Sequence, residues 1–297
     1  MSATDHGESD RRRLVLSVPA IDPHKTAKAL ASSADEVMLD LEDAVAAVDK
    51  DTARDLLLDS LGAQSVRAAG RVTVRVNAPR SPWCHLDLLA VGALGDRVAS
   101  VVVPKVESAG DLAFVDRLLA GVEVRAGVPA TLRVQALIET AAGLARMHEI
   151  AHASSRLDGL VLGYADLGAS LGMASDPRPQ LDLWLPAQQS LLVAARSAGV
   201  LAIDGPHLGV AVDDAFARSA ARARDLGFDG KWAIHPRQID ALNDVFTPGP
   251  NQVRHAQHVL AALQRGLQHG AGAVLMDGQM LDEAVAAAAR RVLARSS

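Results

Sequence analysis

Eight short runs of β-branched and aliphatic residues recur along the chain: Leu14–Val18, Val37–Leu41, Val72–Val76, Val101–Val103, Leu132–Ile138, Leu160–Leu162, Val200–Ile203 and Trp232–Ile234. Between them lie Ala-, Leu- and Arg-rich stretches with helical spacing. Strand-length apolar runs alternating with helix-length segments predict parallel strands joined by crossover helices, and eight such units predict a (β/α)8 barrel. Nearly every run ends in a charged or metal-capable side chain. These are Glu42 and Asp43, Arg75 and Asn77, Lys105 and Glu107, Glu139, Asp166, Asp204, and His235. In a barrel all strand ends of one kind lie on one face, so these groups should gather at the carboxyl-terminal mouth, where barrel enzymes do their chemistry.

The barrel is expected over residues 13–268, with a disordered tail over 1–12 and a C-terminal lid segment over 269–297. A hydrophobic fraction of 49% with only 3% aromatic residues suits a core of Val, Leu, Ile and Ala. The net charge of −5 argues against a polyanionic partner, so no nucleic acid is expected. The basic run Arg11–Arg13 reads as part of a solvated tail. One cysteine, Cys84, rules out an intrachain disulfide. No signal-peptide pattern or 18-residue apolar span is present, so the expectation is a cytoplasmic protein with no membrane partner. In the last segment, residues 269–276 read as a loop or short strand, and Asp282–Ala294 as one more amphipathic helix.

Glu139 closes the fifth run and Asp166 follows the sixth. Two carboxylates on neighbouring strands suit a hard divalent cation such as Mg2+, which takes one or two protein carboxylates and leaves its other positions to water and substrate. The alternative is that each caps a helix. Arg75 lies within the apolar third strand and must be paired or point into the mouth, because a buried unpaired charge is costly. Its fork suits a substrate carboxylate, or a structural ion pair with Glu42 or Asp43. Two further chemistries are carried by single features. His148–His152 matches H-E-x-x-H, the pattern of zinc hydrolases, although its place after the fifth strand puts it on the outer ring. Lys105 ends the fourth run and could serve a metal-independent Schiff-base aldolase.

Read in order, VMLDLEDAV (37–45), RVNAP (75–79), VPKVES (103–108), ALIETAAGL (136–144), GYADLGASLG (163–172), AIDGPH (202–207), GFDGKWAIHPRQI (227–239) and VLMDGQMLDEA (274–284) resemble the successive signatures of one family. It is the citrate lyase beta subunit/malyl-CoA lyase family of acyl-CoA ester lyases, and the likeness spans about residues 13–295. The resemblance implies Mg2+-dependent cleavage or formation of a carbon–carbon bond in a 3-hydroxy-3-carboxyacyl-CoA. The other partners would be an acyl-CoA and a 2-oxo acid. It implies metal ligation by Glu139 and Asp166 and contact of Arg75 with the oxo-acid end. It makes Asp282 an acid/base on a C-terminal lid that covers a neighbour's site in a homotrimer or hexamer. His24, Lys25 and Lys28 are the residues expected near coenzyme A. The first strand departs from the family's Leu-Phe-Val-Pro-Gly, reading Leu16–Ser17–Val18–Pro19–Ala20. Residues 230–236 are closer to malyl-CoA lyases than to citrate lyase subunits. A subunit acting on a carrier-protein thioester within a citrate lyase complex is the remaining alternative.

Overall fold

The computed structural model describes residues 12–62, 70–129, 132–174, 181–268 and 272–296. The expected tail, but for Arg12, lies outside them. The chain divides into two compact units, Arg12–Leu242 and a C-terminal unit beginning at Asn243.

The first unit is a closed barrel of eight parallel strands in sequential order. They are β1 (Leu14–Pro19), β2 (Glu36–Asp40), β3 (Arg71–Arg75), β4 (Ser100–Val103), β5 (Arg133–Ile138), β6 (Leu157–Leu162), β7 (Leu201–Asp204) and β8 (Gly230–Ala233), with β1 pairing β8 to close the cylinder. Each apolar run of the sequence corresponds to one of them. Strand side chains alternate between faces, so each strand offers one set to the lumen and one to the helices. The lumen set packs as a layer of Val15, Met38, Val102, Leu137, Val161, Ile203 and Trp232, all essentially inaccessible. Thr73 of β3 lies opposite Met38 in register and is equally buried.

The period of two then fixes what lies above and below. Two residues towards the amino-terminal end from Met38, Val102 and Leu137 come Glu36, Ser100 and Gln135. Gln135 donates to Glu36 Oε1 at 2.7 Å and to Ser100 Oγ at 3.0 Å. Arg12 completes this polar floor, with Nη2 2.5 Å from Asp158 and Nε 3.3 Å from Glu36 Oε2. The expectation of a solvated basic run is therefore corrected at Arg12 and Arg13. Arg12 is 3% exposed, and Arg13 forks onto Asp35 through Nε and Nη2. A carboxylate such as Glu36 at the bottom of an apolar lumen needs a cation, and the residues just before β1 supply it. Two residues the other way from Met38, Thr73 and Leu137 come Asp40, Arg75 and Glu139, the frame of the mouth.

The C-terminal unit gathers the long helix Pro250–Gln268 with a short antiparallel hairpin, Val274–Met276 and Gln279–Leu281, and the helix Glu283–Ala294. Ala256, Val259 and Leu263 pack with Leu281, Ala286 and Ala289 in a small core of their own. The helix Pro250–Gln268 thus packs with the segment expected as a lid. The hairpin turns on Asp277–Gly278, both at positive φ (51° and 78°), as a two-residue turn of the primed kind requires. No helix among the described residues is long and apolar enough to cross a membrane.

Arg12→Ala should leave Glu36 and Asp158 to the longer contacts of Arg71, at 3.6 and 3.4 Å, and lower unfolding stability by up to about 3 kcal/mol, the lower end of the scale for breaking a buried ion pair. The urea midpoint should fall accordingly. A midpoint shift of only a few tenths of a molar would show the pair to be dispensable.

Candidate active site

The mouth is organised by a fork between neighbouring strands. Asp40 and Arg75 stand side by side in register. Arg75 donates from Nε to Asp40 Oδ1 at 2.7 Å and from Nη2 to Oδ2 at 2.6 Å. Its third nitrogen, Nη1, lies 3.0 Å from Glu42 Oε2, and the guanidinium stands over the Trp232 ring at 5.8 Å. Burial would weaken its charge, but Asp40, Glu42 and Glu139 more than offset that and hold it firmly protonated. The expected pairing with Glu42 is present, and the partner that sets the ring plane is Asp40. That carboxylate also accepts the backbone N–H groups of Glu42 and Ala44, at 2.8 and 3.2 Å. The β2 end is pinned from behind by the buried Lys50, whose Nζ donates to the carbonyls of Leu41 and Glu42, both at 2.7 Å. Asn77 adds a bond to the Leu41 carbonyl at 3.0 Å.

Glu139 is 2% exposed and does not cap a helix, because Thr140 takes that position and accepts from the Gly143 N–H. Nor does Asp166 cap the next helix, Tyr164–Ser170. Gly163 is the cap, and Asp166 projects from the first turn with 38% of its side chain exposed. Glycine at 163 is required by packing. A Cβ there would lie 2.6 Å from Glu139 Oε2 and 2.7 Å from Glu139 Cβ, so any other residue would displace the carboxylate. The helix bearing Asp166 is anchored through Tyr164. Its hydroxyl donates to Asp204 and accepts from Gln188 Nε2 at 2.7 Å, while the fully buried Lys231 holds the other Asp204 oxygen at 2.5 Å. Asp204 and Lys231 therefore position this corner.

Lys105 joins the two halves. Its backbone N–H donates to Glu139 Oε1 at 3.0 Å. Its Nζ lies 2.6 Å from Glu42 Oε1, 3.7 Å from Asp43 Oδ2, 3.9 Å from Glu139 Oε1 and 3.7 Å from Asp166 Oδ1. Its φ of 50° is one of two positive values outside glycine among the described residues. Such a conformation costs roughly 1–2 kcal/mol for an L side chain. Burial would lower the pKa of this amine, but Glu42, Glu139 and Asp43 outweigh it, so the group is held as an ammonium. That environment opposes the free amine a Schiff-base mechanism needs.

Asp40, Glu42, Asp43, Glu139 and Asp166 thus face Arg75 and Lys105, with the Lys50 ammonium behind. Burial first, then the charge of Glu42, pushes the Glu139 carboxyl up to about 8, and burial likewise raises Glu42. This donor set fits a divalent cation. It presents hard oxygens, too few of them to enclose the ion and too much negative charge to stand alone. Among the described residues no group of three or more His, Cys, Asp or Glu side chains is placed to hold a metal ion.

The other expected residues fall as follows. His24, Lys25 and Lys28 lie exposed on the helix Pro23–Leu30, which leaves β1 on the mouth side, and Lys25 pairs with Asp22 at 3.1 Å. Asp282 belongs to the C-terminal unit, where it caps the helix Glu283–Ala294 by accepting the N–H groups of Ala284 and Val285. His235 accepts the Arg237 N–H and caps a short turn. Of the H-E-x-x-H residues, His148 and Glu149 lie exposed on a single-turn helix, Met147–Ala151, and His152 is its C-cap, beside Ser197 Oγ at 3.2 Å. Sequence reasoning missed Asp40 and undervalued Glu42 and Lys105. Asp40 and Glu42 were signalled by the period-two register with Glu36 and Met38. Lys105 was signalled by its place at the end of the fourth run, but its reach to four carboxylates was not, because that depends on a left-handed turn past the strand end.

Comparison with known proteins identifies the family. Residues 13–236 match the family described as HpcH/HpaI aldolase/citrate lyase. The chain is 34% identical over 287 residues to the L-malyl-CoA/beta-methylmalyl-CoA lyase of Rhodobacter capsulatus, covering 91% of this chain and 90% of that protein. It is 37% identical over 286 residues to citrate lyase subunit beta of Escherichia coli K12, covering 96% and 93%. The crystal structure of CitE from Mycobacterium tuberculosis in complex with magnesium, acetoacetate and coenzyme A superposes with a TM-score of 0.78 at 33% identity. It covers 97% of this chain and 99% of that one.

In metal-free protein the raised Glu139 pKa has a defined consequence for stability. A carboxyl raised from 4.5 to about 8 on folding contributes stability in full below about pH 4.5, and loses it as pH rises through 8. Thermal unfolding in EDTA should therefore drop across pH 5–8, Glu139→Gln should flatten that slope, and Mg2+ should restore the wild-type Tm at the alkaline end. An equal slope in wild type and variant would remove Glu139 as its source.

Proposed function

Because the chain belongs to the HpcH/HpaI aldolase/citrate lyase family, we propose that it is a magnesium-dependent carbon–carbon lyase. Its substrate would be a 3-hydroxy-3-carboxyacyl-CoA such as malyl-CoA, methylmalyl-CoA or citramalyl-CoA, cleaved to an acyl-CoA and a 2-oxo acid or formed from them. The observation that carries this reading is the buried Glu139 facing Asp166 across Lys105, with Arg75 beside them in the same barrel mouth.

Cleavage requires loss of the 3-hydroxyl proton, scission of the C2–C3 bond with its electron pair passing to the thioester as an enolate, and protonation of C2. Glu139 and Asp166 would hold Mg2+, which when bound orients the hydroxy acid and polarises its oxygens. Arg75, locked in plane by Asp40, offers its remaining donors to the carboxylate that becomes the oxo acid. Its fixed charge needs no reorganisation during the reaction. Asp282 on a C-terminal lid is the base for the hydroxyl proton in this reading, supplied by a neighbouring copy within a homotrimer or hexamer. His24, Lys25 and Lys28 are assigned to the coenzyme A phosphates, and the activity to the cytoplasm. A second reading, the beta subunit of a citrate lyase complex acting on a carrier-protein thioester, is favoured by the 37% identity to the Escherichia coli subunit over nearly the whole chain.

A panel of malyl-, methylmalyl-, citramalyl- and citryl-CoA, assayed with Mg2+ and with EDTA, tests the first reading. The lone chain should turn over at least one free CoA ester, lose that activity in EDTA and regain it with Mg2+. Glu139→Gln and Asp166→Asn should both be inactive and folded. Activity only with a carrier-protein thioester would favour the second reading.

The lid assignment has its own test. Inactive Asp282→Asn chains mixed with inactive Glu139→Gln chains should regain part of the activity, because each defect then lies on a different chain. If subunit exchange is demonstrated and no activity returns, the lid does not act on a neighbour.

A further inference from the structure

We propose that Lys105 is an internal counter-ion of the metal site, an ammonium that the divalent cation must displace from between the carboxylates, so that this side chain sets the site's metal affinity. The inference rests on the assignment of Glu139 and Asp166 as metal ligands. Lys105 Nζ is within 3.9 Å of a carboxylate oxygen of Glu42, Asp43, Glu139 and Asp166, and only the 2.6 Å contact to Glu42 is a hydrogen bond. The ammonium is therefore anchored on Glu42 while it balances charge on the two ligands. A Mg2+ ion lies about 2.0–2.1 Å from its carboxylate oxygens. Bound to Glu139 and Asp166, it would stand within a few ångströms of the ammonium, where like charges repel.

The backbone is built for that exchange. Lys105 holds Glu139 through its main-chain N–H rather than its side chain. The ammonium can thus swing towards Glu42 and Asp43 without freeing the ligand from its place. Its side chain is 31% exposed and that of Asp43 57%, which leaves room for the swing on the solvent side. The positive φ of Lys105 is what points both the N–H and the side chain at the same carboxylates. In metal-free protein the ammonium stands within 3.9 Å of both Glu139 and Asp166 while the Lys105 N–H holds Glu139 in place, so the site is preformed. The cost is weaker metal binding, which leaves affinity to be completed by the substrate's own oxygens.

The test is Mn2+ binding, as a paramagnetic stand-in for Mg2+, followed by electron paramagnetic resonance of the free ion in protein without substrate. Wild type, Lys105→Met, Lys105→Gln, Lys105→Arg and Glu139→Gln are compared, each first checked for cooperative thermal unfolding. Removing a unit charge a few ångströms from a divalent ion should tighten binding roughly tenfold or more. Lys105→Met and Lys105→Gln should therefore bind Mn2+ more tightly than wild type, and Lys105→Arg should remain near wild type. Glu139→Gln should lose binding. Unchanged or weaker binding in both neutral variants, with the Glu139→Gln loss intact, overturns the counter-ion role, since a merely structural lysine would only weaken the site when removed. Wild-type binding in Glu139→Gln would instead overturn the ligand assignment, and this inference with it.

Discussion

Charge balance at the carboxyl-terminal mouth is the constraint on which the rest of this site depends. Carboxylates withdrawn from water are costly unless paired, and their mutual repulsion adds to the cost. The barrel gathers Asp40, Glu42, Glu139 and Asp166 because successive strands end side by side. It then has to place cations among them. Arg75 spends one edge of its guanidinium on Asp40, which fixes its plane, and Lys105 bridges from Glu42 towards Glu139 and Asp166. What remains is a carboxyl, Glu139, that burial first and then the charge of Glu42 push well above its ordinary range. A divalent cation is the simplest group that offsets this and still leaves positions open to substrate.

The two ends of the lumen solve the same problem with opposite results. At the floor, Arg12, Glu36, Gln135, Ser100 and Asp158 close on one another. That end is a structural plug, in keeping with the general division of barrels into a stabilising floor and a reactive mouth. At the mouth the partners are deliberately incomplete, and the backbone takes up strain at Lys105 to aim a side chain across the strand ends. Close approach does the rest. Gly163 leaves the space that Glu139 fills, so that carboxylate's position is set by a missing Cβ as much as by its own hydrogen bonds. Behind them Tyr164, Asp204, Lys231 and Gln188 tie β6, β7 and β8 into one corner, so the helix carrying Asp166 is not free to drift.

Much of this was legible in the amino-acid sequence, for physical reasons. Apolar runs of strand length must be buried on both faces, and eight of them separated by helix-length segments leave few arrangements besides a closed barrel, so the strands and the end at which their polar residues collect followed directly. Glu139, Asp166 and Arg75 were found because they sit where a run of aliphatic residues stops. Asp40 was equally available through its register with Glu36 and Met38, and Asp277–Gly278, just past the 269–276 segment read as a loop or short strand, carried the signature of a hairpin turn. What the sequence could not decide depends on distance in three dimensions. Arg12 became a floor cation because Glu36 and Asp158 meet beneath the lumen, although in the chain it belongs to a basic run. Lys105 became the centre of the site because one left-handed residue turns it back over the mouth. The pattern of a sequence fixes which face a residue takes, since that follows from the period of the backbone. Which charges meet follows only from closure of the barrel, which brings together groups as far apart in the chain as Arg12 and Asp158.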